Sequence, residues 1–237
     1  MCVTLPAADG ISIQPSCYSA LTNHWVCMDY LRDRHHDLTA ALWQHLQITA
    51  LALLLGIAIA FPLALIARRL PGLQSYILGS STAIYTIPSL ALFPFLVPFT
   101  GITMTTVVIG LALYALTILV RSTLSGLNGV PDEVRESATG LGYGRTRLLF
   151  RVELPLALPV MMAGLRVATV STVALTTVGT LVSYGGLGNL IEDGVRTDFK
   201  AELLAAGVLC VVLAVVLDGM IVCVQWVAMP WTHGRRS

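Results

Sequence analysis

Long apolar segments alternate with short polar ones along this chain, and five of the apolar segments are long enough to cross a lipid bilayer. A hydrocarbon core of about 30 Å requires roughly 20 apolar residues in a helix. The longest uncharged stretch, residues 70 to 120, has to contain two spans because Pro94, Pro98 and Gly101 interrupt it. The predicted spans are residues 44–67, 73–96, 102–120, 158–181 and 203–228.

The composition supports this prediction and excludes several other classes of protein. The spans are apolar throughout rather than alternating, which favours helices over the strands of a membrane barrel. Only 11% of the 237 residues are charged and 56% are hydrophobic, whereas soluble domains carry about 25% charged residues. A net charge of +1 also argues against nucleic-acid binding. We therefore predict an all-α polytopic protein with five transmembrane helices in the lipid bilayer and no nucleic-acid partner.

The basic residues predict how the chain crosses the membrane, because lysine and arginine are enriched in short cytoplasmic loops. An amino terminus outside and a carboxyl terminus inside places nine arginines on the cytoplasmic side and four basic residues outside. This predicts an extracytoplasmic tail with an interfacial amphipathic helix (1–43), a transmembrane domain (44–228) with a cytoplasmic loop (121–157), and a cytoplasmic tail (229–237). Within the first tail, the spacing of Cys17 and Cys27 allows a disulfide.

Groups that support catalysis or bind metals are scarce within the spans. All five histidines lie outside the spans or at their edges, and Asp218 is the sole acid inside one. An intramembrane protease would need a Ser/His pair or two aspartates there. No histidine, cysteine and acid cluster has metal-ligand spacing, and Lys200 follows no glycine-rich phosphate loop. We predict no enzymatic activity, metal or cofactor in this chain, so another chain would have to supply energy for active transport.

The long internal loop contains the clearest local signals. Pro131 followed by two acids predicts the start of a helix. Ala138 lies on its apolar face, and Gly140 or Gly142 supplies a left-handed cap. A second short helix is predicted over 145–154, before Pro155 turns the chain into the membrane. The first helix either docks into a groove of a partner protein or is an interfacial connector without a partner.

The same loop resembles the EAA loop of ABC importer permeases. Glu136-Ser137-Ala138, then Gly142, then Val152-Glu153-Leu154-Pro155 match that family's spacing, with Ser137 and Val152 as small departures. The resemblance implies a type I importer fold, in which this loop forms a coupling helix that contacts a separate ATP-binding subunit. It places Glu136, Ala138, Gly142, Leu154 and Pro155 at or near the coupling contact. From the residues alone, Glu136 is equally consistent with a solvated helix acid.

Further motifs resemble one branch of that family, the permeases for glycine betaine, choline and related osmoprotectants. They are Thr86-Ile87-Pro88-Ser89-Leu90-Ala91-Leu92, Ala163-Gly164-Leu165-Arg166 and Gly185-Gly186-Leu187-Gly188. The resemblance implies a bacterial inner-membrane permease that works with an ATPase using ATP and Mg²⁺, a second permease subunit (identical or related) and an extracytoplasmic solute-binding protein. The alternatives are the same architecture with another solute, such as an amino-acid derivative, or a self-contained channel or carrier.

Polar groups inside the spans are the candidates for the transport path. Hydroxyl groups cluster in the second and fourth spans, where they either line a path or bond to backbone carbonyls of their own helix. The candidates for the path are Tyr85, Thr86, Pro88, Ser89, Thr172, Thr176 and Thr177. The turn containing Gly185, Gly186 and Gly188 is a candidate outer gate or a plain turn. Arg166 is expected near the inner face, and the deeper Asp218 is expected to pair with Arg166 or a helix terminus.

Overall fold

The chain folds entirely into helices over the part that the computed structural model describes, residues 23–231. A π-helical turn, Leu149–Glu153, and a 3₁₀ segment, Thr177–Val182, precede and follow the long α8. The helices are α1 (Met28–Asp33), α2 (His35–Arg69), α3 (Pro71–Thr86), α4 (Ser89–Thr100), α5 (Met104–Asn128), α6 (Asp132–Gly140), α7 (Arg145–Leu148), α8 (Leu154–Thr176), α9 (Leu187–Arg196) and α10 (Lys200–Ala228). The predicted all-α fold is confirmed.

Four continuous helical segments are long and apolar enough to cross a membrane, and a bent pair supplies the fifth candidate. The four are His35–Arg69, Met104–Asn128, Arg145–Val182 and Lys200–Ala228. In the pair, α3 and α4 meet at 101°. The chain therefore has four or five spans, depending on whether α3 and α4 cross the membrane together.

The second predicted span is not a continuous helix. The sequence predicts a bend at Pro88 and a break between two spans from Pro94 to Gly101, and the sharp bend lies at Ile87 and Pro88. Ile87 adopts an extended conformation because the ring of a following proline disfavours helical backbone. Pro94 lies inside α4, whereas Gly101 does end that helix, at φ +74°.

The fourth span also begins differently from the prediction. The helical path runs without a break from Arg145 to Val182, so Pro155 does not turn the chain. Just before this proline, the amide of Leu154 donates to the carbonyl of Leu149, five residues back. Such a wide π-helical turn relaxes the hydrogen-bond ladder where Pro155 removes a donor. Pro155 consequently lies in the first turn of α8.

The amino-terminal region also departs from the single interfacial helix predicted before the first span. A short α1 is followed by a break at Arg34, and α2 then continues from His35 into the membrane segment. The Tyr30 ring of α1 packs edge-on against Phe199 at 5.2 Å, which joins α1 to the start of α10. Burial raises the pKa of the Tyr30 phenol to about 12. Cys17, the suggested partner of Cys27, lies outside the described residues.

The core is built around α5, which packs against α2 on one side and α8 on the other. Most of its residues are buried, and small residues bring the helices together. Gly56 of α2 lies against Leu119, Gly126 of α5 against Ala157, and Gly164 of α8 against Ser122. Because the helices are apolar all round, these close approaches decide which faces meet.

Gly164 provides a test of this packing. A Cβ added at this position would lie 2.1 Å from Cβ of Ser122, so Gly164→Val should force α8 away from α5. We expect a loss of about 1–3 kcal/mol in the free energy of unfolding, which is typical of overpacking. Gly219→Val is the matched control because nothing lies within 4 Å of its Cβ position. Thermal unfolding in mild detergent should separate the two variants, and equal midpoints would contradict the packing argument.

Candidate functional site: the loop helix, the bent span and two charge clusters

The predicted helix of the internal loop is present as α6. It starts after Pro131, and Asp132 and Glu133 occupy its first turn. It ends in a two-bond cap, in which Tyr143 N donates to Ala138 O at 3.1 Å and Gly142 N donates to Thr139 O at 2.9 Å. Gly142 has a φ of +84°, so the left-handed cap is Gly142 rather than Gly140.

The faces of α6 differ sharply in exposure. Ala138 is buried against the rest of the chain, so its methyl group supports the helix from behind. Glu136, Gly142 and Leu141 are exposed, and 80% of the Leu141 surface is open. The outward side of α6 and its cap therefore combines a carboxylate with an exposed apolar side chain.

A buried carboxylate ties α6 to the membrane segments. Glu153, at the end of the π-helical turn, is 7% exposed and accepts a hydrogen bond from Arg68 Nη1 at 2.8 Å. Arg68 also contacts the second oxygen of Glu153, and Nε of Arg135 on α6 lies 3.0 Å from that oxygen. Arg135 also donates to the carbonyl of Leu127 at 2.7 Å. We call Arg68, Glu153 and Arg135 the charge clamp.

The charge clamp joins the ends of α2 and α5, the helix α6 and the beginning of α8 at one end of the bundle. The sequence showed Glu153 only as part of the Val152–Pro155 motif, and Arg68 was only one of the nine arginines predicted on the cytoplasmic side. The available signal was the cost of an acid beside an apolar segment, which predicts an arginine partner. It did not identify which of several arginines would pair with it.

The bend between α3 and α4 is held from one side and open on the other. The hydroxyl of Tyr114 donates to the carbonyl of Ile87, and the Tyr114 ring packs edge-on against Tyr85 at 5.7 Å. Tyr85, Thr86 and Pro88 are nevertheless exposed, and Ser89 is half-buried. The bend therefore presents an aromatic ring and a hydroxyl away from the body of the chain.

The hydroxyl groups in the fourth span occupy a different environment from this bend. Thr172 and Thr176 are buried and donate to backbone carbonyls four residues back, at 2.7 and 2.8 Å. Thr176 also lies 3.2 Å from the hydroxyl of Thr49 on α2. Thr177 is half-buried and bonds to the carbonyl of Ala174. The hydroxyl groups of Thr172 and Thr176 are thus enclosed between helices, whereas the bend is exposed.

The glycine turn at the start of α9 is tightly packed against α2 and against the 3₁₀ segment Thr177–Val182. Gly185, Gly186 and Gly188 are all buried, and Gly186 has a φ of +56°. A Cβ on Gly186 would lie 2.7 Å from the Cα of His45, and one on Gly188 would lie 2.3 Å from the Thr177 carbonyl oxygen. His45 is fully buried there and its Nε2 lies 3.0 Å from the carbonyl of Val173, a contact that sequence analysis missed.

Arg166 and Asp218 form the ion pair that the sequence suggested. Arg166 Nε and Nη2 each lie 2.7 Å from an oxygen of Asp218, which gives a bidentate contact between α8 and α10. Arg166 lies in the middle of α8, and its position near the inner face stays a prediction. Across residues 23–231, no group of three histidine, cysteine or acidic side chains could hold a metal ion.

The apolar helical bundle defines the class of protein as a polytopic membrane protein, and α6 lies at one end of the bundle. Residues 52–225 match the family described as binding-protein-dependent transport system inner membrane component, and the chain belongs to this family. It is the permease subunit of an ABC importer, a membrane protein and not an enzyme, and such importers draw on separate ATPase and solute-binding proteins.

Relatives of known identity cover most of the chain. It is 34% identical over 190 residues to the carnitine transport permease protein OpuCB of Listeria monocytogenes, covering 80% of this chain and 87% of that protein. It is 34% identical over 206 residues to the osmoprotectant import permease protein OsmW of Salmonella typhimurium, covering 85% and 96%. The inward-facing MetNI methionine ABC transporter has a similar fold, with a TM-score of 0.68 at 19% identity, covering 85% and 97%.

Proposed function

We propose that this permease imports a compatible solute, namely glycine betaine, choline, carnitine or a related quaternary ammonium compound. The observation that carries the proposal is the similarity to carnitine and osmoprotectant permeases over at least four fifths of the chain. The motif around the bend supports the same branch, since Thr86 and Pro88 belong to it and lie exposed. A different solute, such as an amino-acid derivative, is the alternative within the same architecture.

In this proposal, α6 is the coupling helix and contacts a separate subunit that binds ATP and Mg²⁺. Its exposed residues Glu136, Leu141 and Gly142 form the contact, while buried Ala138 holds the helix in place. Leu154 and Pro155 are half-buried at the start of α8 and support the contact from the membrane side. Movement of α6 on ATP binding then reaches the spans through the charge clamp.

The transport path lies between this chain and a second permease subunit, identical or related. The bend at Tyr85–Ser89 supports this placement because the exposed Tyr85 hydroxyl requires water or protein beside it in a membrane segment, while the Thr86 hydroxyl donates to the carbonyl of Ala83 at 2.7 Å. The buried Thr172 and Thr176 hold helices together instead. An extracytoplasmic binding protein delivers solute at the end of the bundle that carries α1, α9 and the glycine turn, with the amino terminus outside and the carboxyl terminus inside.

Affinity purification in mild detergent tests the coupling contact. A chain carrying Glu136→Ala and Gly142→Asp should lose the co-purifying ATP-binding subunit, because the first change removes an exposed charge and the second strains a residue at φ +84°. We expect at least a roughly tenfold loss of bound ATPase, the effect of about 1.4 kcal/mol at an interface.

Gly144→Asp is the matched control for this experiment, because Gly144 is exposed, has a φ of −67° and precedes α7. Retention of the ATPase by the double variant at the level of this control would contradict the coupling contact. Uptake competition by a panel of osmolytes and amino acids then tests the solute. Competition by amino acids alone would reject the osmolyte.

A further inference from the structure

A cleft of about 550 Å³ opens beside the ion pair between α8 and α10. Its walls are Ala163, Arg166, Val167, Val170, Ser171 and Asp218. The ion pair does not close off this cleft, because 41% of the Arg166 side chain and 27% of the Asp218 side chain remain exposed. Arg166 and Asp218 are therefore paired with each other and still accessible from one side of the cleft.

The position of this cleft along the helices is central. Arg166 is about 18 Å from the first residue of α8 and about 15 Å from the last, at a rise of about 1.5 Å per residue. Asp218 is about 15 Å from the last residue of α10. Asp218 is also the only charged residue between positions 203 and 228, so the ion pair lies within the apolar part of α10 that is long enough to cross the hydrocarbon of a bilayer, about 30 Å.

Lipid tails cannot solvate the open side of an ionised pair, so this side faces either water or protein. The hydroxyl of Ser171 also needs water or a protein group beside it. Unlike Thr169, Thr172 and Thr176 of the same helix, it forms no hydrogen bond within the described residues. A hydroxyl group with no partner beside a half-open ion pair points to a wet cavity.

The chemistry of the walls selects a ligand. Arg166 uses Nε and Nη2 on Asp218, which leaves Nη1 without a partner among the described residues and free to donate to a carboxylate. Asp218 places a negative charge beside it, and Ala163, Val167 and Val170 supply apolar surface suited to methyl groups. A small molecule that carries a carboxylate and a methylated cation matches all three features.

We propose that this cleft is a transit site for a small zwitterionic solute, with the carboxylate on Arg166 and the quaternary ammonium group beside Asp218. The site rests on the proposed function for its ligand, since that function supplies the class of solute. It goes beyond that function by assigning the contact to α8 and α10 rather than to the bend between α3 and α4. It also predicts a preference for betaines over choline, which has no carboxylate.

Cysteine accessibility in the assembled transporter tests whether the cleft holds water. The parent carries Cys210→Ala and Cys223→Ala, and a membrane-impermeant thiol reagent is applied with and without glycine betaine. Ser171→Cys should react faster than the parent and be protected by glycine betaine. Val216→Cys, an exposed position two residues from Asp218 and on about the opposite side of α10, should react no faster than the parent. Ser171→Cys labelling no faster than that of the parent in the absence of glycine betaine would overturn the proposal.

Reversing the ion pair tests whether it binds solute or only joins two helices. Arg166→Asp with Asp218→Arg keeps a charge pair between α8 and α10 but exchanges the positions of the two charges. In proteoliposomes containing the complete transporter, we expect the KM for glycine betaine to rise about tenfold, the effect of losing one charge-assisted hydrogen bond. The thermal midpoint should stay close to that of the wild type.

A wild-type KM in this reversed variant would overturn the proposal, because a merely structural pair is restored by reversal. Failure of the proposed function gives a different result, in which the wild-type transporter moves no glycine betaine, carnitine or choline at all. The labelling rate of Ser171→Cys without added solute does not depend on the solute, so it tests the wet cleft in either case.

Discussion

Glu153→Gln is expected to reduce solute uptake by roughly tenfold, with a smaller effect on the amount of folded protein. The charge clamp depends on this one carboxylate, which takes Arg68 from α2 and Arg135 from α6. Glutamine keeps the shape but removes the charge, so two arginines are left with weaker partners in a site that is largely closed to water. Loss of a coupling energy of 1–3 kcal/mol corresponds to roughly this fold-change.

A transport defect is expected because the charge clamp lies between α6 and the membrane-spanning helices. Arg135 also holds the carbonyl of Leu127 at 2.7 Å, so α6 is attached to the end of α5 through the same side chain. When the carboxylate is neutralised, α6 should still fold because its cap at Gly142 is local. It should move independently of α2 and α8, which lowers the uptake of solute per ATP hydrolysed.

Uptake and ATP hydrolysis should be measured together on the reconstituted transporter. Glu133→Gln is the matched control, since it makes the same exchange at an exposed acid in the first turn of α6. The clamp has no coupling role if both variants show the wild-type ratio of uptake to hydrolysis. A fall in this ratio for Glu153→Gln alone is the expected result.

Gly186→Ala is expected to destabilise the folded chain by about 3–5 kcal/mol, the sum of backbone strain and overpacking. Gly186 has φ +56° and ψ −119°, a region that residues with a Cβ rarely adopt. The added methyl group would also lie 2.7 Å from the Cα of His45, a backbone atom that cannot rotate away. The turn and α2 cannot both keep their positions.

This substitution should lower the yield of folded protein and the thermal midpoint of whatever folds. Gly207→Ala on α10 is the control, because nothing lies within 4 Å of its Cβ position and alanine favours a helix. Adding His45→Ala to the Gly186→Ala chain provides a second measurement. The double variant should not regain stability, because removing the His45 side chain cannot relieve a clash with the Cα of that residue. A Gly186→Ala protein as stable as the Gly207→Ala control would show that the turn is not held against α2.

The charge pairs show how far sequence reasoning reaches. Arg166 and Asp218 were matched correctly because they are the charged residues inside the predicted spans, and the cost of burying either one alone is high. Glu153 was not matched with Arg68, 85 residues away, because several arginines lie at the same side of the membrane. The sequence showed that Glu153 needs a cationic partner, but identifying that partner required the positions of α2 and α6.

The sequence by itself determined the membrane class, the approximate spans and the loop helix α6 with a glycine cap, because these depend on the lengths of apolar segments and on local backbone preferences. Only the structure chose Gly142 over Gly140 as that cap. The sequence could not show which faces of these helices meet, since helices that are apolar all round carry no amphipathic signal. Only the tertiary structure decided that Thr172 and Thr176 are buried while Tyr85 and Thr86 are open. The physical reason is that α5 buries the faces of α2 and α8 that contact it and leaves their other faces exposed. These contacts depend on close approaches at glycines that are far apart in the chain.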